Sequence, residues 1–215
     1  MPDVELHPEI EPLRELLPIP DLTLDLLPAI REMEFAEPPE LSGAIERTDH
    51  VVAQEDGVRV RVHRPRDVAG PLPCIYAIHG GGYVMGSYDM YDAALDGWCQ
   101  QFGIVGVSVE YRLAPEFPYP APLDDCEAGL QWTFDHAAEL GIDPDRVGIT
   151  GVSAGGGLCA GLALRTRGRL PVRFQLLECP MLDDRQATPS GRGDDRILMS
   201  RGSNELGWRC YRGDQ

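Results

Sequence analysis

Polar and apolar positions alternate differently in three parts of the chain. Within the first 40 residues eight prolines punctuate two short apolar segments, 13–17 and 22–33, that carry Leu and Ile at helical spacing. Asp21 is placed to cap the second of them. Pro38-Pro39 marks a break, so residues 1–40 read as a small N-terminal helical cap and residues 45–215 as the main body. From His50 the pattern changes to strands. Val58, Val60 and Val62 alternate with Arg59, Arg61 and His63, which predicts a half-buried strand with one wet face. Beyond Pro71 the apolar runs are short and continuous, at 74–78, 104–109, 147–150 and 174–177, with helical stretches at 93–102, 122–140 and 154–167 between them. Buried strands alternating with helices predict an α/β fold, a mostly parallel sheet covered on both faces. The tail after Pro180 is polar until a short segment at 204–211.

Length and charge narrow the class. A chain of 215 residues, 43% hydrophobic, is long enough to bury a core and suits one domain with a small appendage. Acidic residues outnumber basic ones 35 to 19, and a formal charge of −16 repels phosphate backbones and anionic membrane surfaces. No nucleic-acid partner is expected. No apolar run approaches the ~18 residues of a membrane span, and the N-terminus has no signal-peptide core. The six cysteines are far apart and form no CxxC, so metal spacing is absent. They read as small packed hydrophobes in a reduced, cytoplasmic protein.

Two motifs carry chemistry. Gly151-Val152-Ser153-Ala154-Gly155 follows directly on the apolar run 147–150 and opens an Ala- and Leu-rich helix. That is the setting of a G-x-S-x-G nucleophile elbow, in which flanking glycines allow a sharp strand-to-helix turn that lifts the serine hydroxyl out of the sheet. The second motif, His79-Gly80-Gly81-Gly82, also ends a strand. Its glycines leave backbone N–H groups uncovered, and with the N–H of Ala154 those of Gly81 and Gly82 can form an oxyanion hole. Gly82→Pro is then expected to remove a donor while leaving the fold intact. His79 sits where the motif needs a loop-shaping residue and precedes the serine, so it is not read as the base.

With these motifs the chain resembles the hormone-sensitive-lipase-like family of α/β-hydrolases, the bacterial group IV esterases. HGGGYVMGS (79–87) and GVSAGGG (151–157) are joined by YRLAPEFPYPAPLDD (111–125) between them, and by PMLDDR, TPS and LGWR (206–209) after them. The resemblance implies an N-terminal helical cap, Ser153 as nucleophile, and an oxyanion hole from Gly81, Gly82 and Ala154. It implies structural roles for Arg112, Glu116, Asp124 and Asp125, and a pocket shaped in part by the cap, Tyr83 and Val84. Two departures stand out. The family usually has Asp where this chain has Val152. The hydrolase order is Ser, then Asp or Glu, then His, yet His7, His50, His63, His79 and His136 all precede Ser153. Asp183, Asp184, Asp194 and Asp195 follow the serine, but one strand too early for the triad acid. His136 is expected at the far end of the sheet from Ser153.

The chain is therefore expected to be part of a longer hydrolase whose acid, base and later strands lie outside it. The implied activity is hydrolysis of short to medium acyl esters through an acyl-enzyme, and no cofactor or metal is implied. This chain alone is expected to be inactive or very weak. A non-catalytic small-molecule binder, as in the plant gibberellin receptors that resemble these esterases, and a structural remnant stay as alternatives.

Overall fold

A computed structural model describes residues 9, 21–32, 40–53, 57–189 and 199–213. Among these, six strands form one sheet: β1 (Ile45–Ala53), β2 (Val58–Pro65), β3 (Leu72–Ile78), β4 (Val105–Glu110), β5 (Ile142–Val152) and β6 (Val172–Glu178). Their order across the sheet is β1-β2-β4-β3-β5-β6. β1, β2 and β4 pair antiparallel, whereas β4, β3, β5 and β6 run parallel. The helices are α1 (Leu27–Arg31), α2 (Asp92–Phe102), α3 (Ala121–Asp135), α4 (Ala137–Leu140), α5 (Ala154–Arg165) and α6 (Arg201–Arg212), with a 3-10 turn at Tyr88–Tyr91.

Strand periodicity decides which helix covers which face. Cys74, Tyr76 and Ile78 of β3 point to one side, where they join Val60, Val107 and Ile149 under Leu123 and Leu130 of α3 and Leu158 and Leu162 of α5. Ile75 and Ala77 point to the other side, against Leu95 of α2 and Tyr91. The expected mostly parallel sheet with helices on both faces is thus the fold observed. The strands and helices of residues 72–165 fall within a few residues of their expected positions, except β5, which starts at Ile142 instead of 147. The expected helix over 122–140 is two helices, broken at His136. The segment 204–211 belongs to α6.

Two readings of the N-terminal part are corrected. The second apolar segment forms only the five-residue α1, with Leu26 rather than Asp21 in the cap position. Asp21 lies instead beside Gly202 of α6. The first segment, 13–17, and Pro38-Pro39 lie outside the described residues. The face of β2 expected to be wet is wet only in part: Arg59 is exposed and Arg61 half-buried, but His63 is fully buried. α2 lies over it and presents Asp92 and Asp96, one helical turn apart, to the strand. His63 Nδ1 is 3.3 Å from Asp96 Oδ1 and its Nε2 is 3.2 Å from Asp92 Oδ1. The second contact is within reach but does not meet hydrogen-bond geometry. Arg61 pairs with Asp92 at 2.7 Å, and Arg47 pairs with Asp96. Alternation gave the right faces, but at His63 a charged helix face took the place of water.

The residues of the 111–125 motif act as anchors. Asp125, 2% exposed, accepts from the Arg112 backbone N–H at 2.8 Å and from its guanidinium at 2.7 and 2.9 Å. Asp124 pairs with Arg165 of α5 at 2.6 Å. Removing one member of a buried pair strands the other charge, at about 3–5 kcal/mol. Asp125→Ala should lower unfolding free energy by that amount in a urea titration, and a loss under about 1 kcal/mol would contradict the anchoring role.

Candidate active site

Register brings the two motifs together. Ile78, the last residue of β3, pairs with Gly151 of β5, and Gly151 pairs with Leu177 of β6. The 79–82 loop and Ser153 therefore emerge side by side at the carboxyl edge of the parallel strands, where ligands of open α/β sheets bind. A Cβ placed on Gly80 would lie 3.5 Å from Ser153 Cβ. At Gly151 it would collide with the Gly155 carbonyl, and at Gly155 with the carbonyl oxygens of Ile78 and His79. The motif's two glycines are thus required by close backbone approach as strand, turn and helix cross.

Ser153 has φ 55° and ψ −117°, a conformation that costs a non-glycine residue roughly 1–3 kcal/mol and persists only where its surroundings enforce it. Three backbone hydrogen bonds do so. Its N–H donates to Glu178 O at 2.9 Å, and its carbonyl accepts from Gly157 N at 3.1 Å and Met181 N at 2.9 Å. The hydroxyl makes no capping hydrogen bond to α5 and is partly exposed. Ala154, at the first turn of α5, is buried directly behind it. Val152, where the family usually has Asp, packs its side chain towards Ile75 and Leu95.

Gly81 and Gly82 both have left-handed backbones, with φ 106° and 61°. Proline is fixed near −65°, so Gly82→Pro cannot keep this loop, and the expectation of an intact fold is withdrawn. At Gly81 a Cβ would strike the Met85 carbonyl, while at Gly82 it would meet only Met199 and Val84 side chains at 3.8 and 3.9 Å. The Val84 and Met85 N–H groups both donate to Gly81 O, at 3.1 and 3.0 Å, closing a turn. Tyr83 and Val84 do not line an open pocket. They are 1% and 0% exposed, with Tyr83 stacked on Tyr211 and its hydroxyl donating to Met181 O.

His79 shapes this loop. Its Nδ1 lies 2.8 Å from Gly80 O, an acceptor, so that nitrogen carries the proton. The ring stacks on Tyr111 with centroids 4.1 Å apart, and the Tyr111 hydroxyl donates to His79 O at 3.0 Å. Burial pushes its pKa down to about 4, which makes it a poor proton acceptor at neutral pH. Because the folded pKa lies below the unfolded value near 6.5, the unfolded chain binds the proton first as pH falls. Stability is full above pH 6.5 and declines between there and about pH 4, by roughly 3 kcal/mol from this group. In NMR titrations the His79 ring should show a midpoint near 4; a midpoint at 6.5 would contradict its burial.

The other candidates are accounted for among the described residues. His136 caps α3, its Nδ1 on Trp132 O at 2.9 Å, and β5 begins six positions later at its amino end. It therefore lies at the end of β5 opposite to Ser153, which follows Val152 at the strand's carboxyl end. Asp183 pairs with Arg185 at 2.8 Å, and Asp184 pairs with Arg212. Asp194, Asp195 and His7 lie outside the described residues. No group of three or more His, Cys, Asp or Glu among them could hold a metal, and none of their helices is long and apolar enough to cross a membrane. Reasoning from the sequence missed α6 as a support of the site, although the LGWR motif lies on it. A Cβ on Gly207 would come within 2.6 Å of Gly82 O, and Trp208 and Tyr211 pack on Tyr83.

A strained serine at a strand-to-helix elbow thus stands beside a glycine loop on the neighbouring strand, at the carboxyl edge of an α/β sheet. The α/β-hydrolase fold family matches residues 75–215. The chain belongs to this family, in its hormone-sensitive-lipase-like branch. It is 36% identical over 184 residues to carboxylesterase NlhH of Mycobacterium tuberculosis, covering 81% of this chain and 58% of that protein. Human hormone-sensitive lipase is 37% identical over 102 residues, 47% of this chain and 10% of its own length. Among solved structures, a bacterial heroin esterase superposes with a TM-score of 0.89 at 38% identity, covering 98% of this chain and 69% of its own. The chain thus spans less than two thirds of NlhH.

Proposed function

We propose that the protein is a serine-dependent carboxylic-ester hydrolase acting on short to medium acyl esters, with residues 1–40 as a cap over the site. The observation that carries this reading is Ser153, held at φ 55° beside the 79–82 loop. Its hydroxyl attacks the ester carbonyl, and the N–H groups of Gly81, Gly82 and Ala154 stabilise the tetrahedral oxyanion. The alcohol leaves, and water hydrolyses the acyl-serine. A histidine moves the protons in both halves, and a carboxylate orients it. Among the described residues, neither His79 nor His136 is placed to be that histidine. The reduced cysteines, five of them buried, suit a cytoplasmic setting.

The depressed basicity of His79 and the remoteness of His136 favour a second reading, a small-molecule binder without turnover. Hydrolysis of p-nitrophenyl butyrate separates the two. The full-length gene product should turn it over in a Ser153-dependent manner. Residues 1–215 alone should not exceed their own Ser153→Ala control. Saturable binding by the full-length product with no Ser153-dependent turnover would favour the binder.

A further inference from the structure

We propose that Arg31 is a positioning residue for the glycine loop, clamping its far side to helix α1; the proposal deepens the reading of Gly81 and Gly82 as oxyanion donors and rests on it. Arg31 is the last residue of α1, and its guanidinium reaches two carbonyls in separate segments of the body. Its Nε donates to Val84 O at 2.7 Å, and one Nη donates to Ala114 O at 2.8 Å. Val84 and Ala114 are themselves fully buried. The two segments are also joined directly, since Ala114 N donates to Tyr83 O at 3.0 Å. Glu116 also holds the guanidinium, accepting from both Nη groups at 2.9 Å. A planar fork with five donors suits this task, because one group satisfies two carbonyls and a carboxylate at once.

The same place carries a small apolar cluster in which Leu22 and Leu27 pack against Val84, Ala114 and Cys210. Val84 belongs to the turn closed on Gly81 O, so fixing Val84 O fixes the peptide planes that precede it. An ordinary exposed ion pair would contribute little. Arg31 differs in directing two of its four hydrogen bonds at buried loop carbonyls, the other two going to Glu116. The consequence is that the N-terminal segment and the oxyanion donors are mechanically linked, so displacing α1 loosens the loop.

Amide exchange reads this link without turnover, so its result stands apart from whether Ser153 reacts. The informative amides are those of Val84, Met85 and Ala114, each hydrogen-bonded within the loop or across it. Arg31→Ala should speed their exchange about tenfold or more, as expected for losing charge-assisted bonds, while the amides of β3 and β5 stay protected. Glu116→Gln, a milder surface change, should act in the same direction with a smaller effect. Arg31→Lys should recover only part of the protection, because an ammonium cannot span all three partners. Unchanged exchange at the three amides in both Arg31→Ala and Glu116→Gln would overturn the proposal. So would an equal loss across β3 and β5, which would make Arg31 a general stabiliser.

Discussion

Ser153→Ala is expected to lower kcat of the full-length product on a short-chain ester by on the order of 10⁶-fold, with the fold unchanged. The size follows from how the catalytic groups act together. Without the nucleophile no acyl-enzyme forms, so a base and an oxyanion hole have nothing to serve, and losing one member costs about as much as losing the whole set. What remains, roughly 10³–10⁴-fold over water, comes from binding and the oxyanion donors. The substitution removes one oxygen from a partly exposed side chain that makes no capping bond. The elbow is held by backbone bonds to Glu178, Gly157 and Met181, which alanine keeps. Unfolding curves of the two proteins should therefore overlay within about 1 kcal/mol. A fall in kcat below tenfold would place the nucleophile elsewhere.

Gly81→Ala and Gly82→Ala should behave very differently although the residues are adjacent and both are left-handed. At Gly82 the added methyl meets only two flexible side chains at ordinary contact distance. The N–H stays in place, and the backbone penalty is roughly 1–2 kcal/mol of stability. At Gly81 the methyl strikes the Met85 carbonyl, part of the turn that closes the loop. The loop must shift, and a donor out of place is a donor lost, about 10²–10³-fold in kcat. Steady-state kinetics on both variants checks this. Equal kcat values for the two would remove the 79–82 loop from the oxyanion hole.

The sequence revealed much of this arrangement where one local rule governs a segment. Continuous apolar runs located β3 and β4 because those strands are buried between helices and neighbouring strands, and the run 174–177 located β6 although Phe174 and Leu176 are 54% exposed at the sheet edge. The glycines around Ser153 announced the elbow because only close backbone approach calls for them in that order. Legibility failed where long-range packing intervened. Nothing beside His63 in the chain says that Asp92 and Asp96 will cover it, though two acids one helical turn apart are a signal that a helix face is charged. Asp21 was a good cap by residue type, but the turn at 24–26 and the approach of α6 moved the start of α1. Tyr83 and Val84 looked like pocket residues by their nearness to the motif, but Trp208 and Tyr211 of α6 cover Tyr83, and Val84 packs with Leu22, Leu27, Ala114 and Cys210. Arg31 was invisible, since its partners lie more than fifty residues away.

The central claim is that Ser153 is the reacting atom's owner, and covalent labelling tests it most directly. The full-length product is treated with a fluorophosphonate, digested, and its peptides are sequenced by mass spectrometry. The account predicts a single phosphonyl adduct on Ser153 that disappears in Ser153→Ala. An adduct on another serine, with Ser153 unmodified, would contradict it.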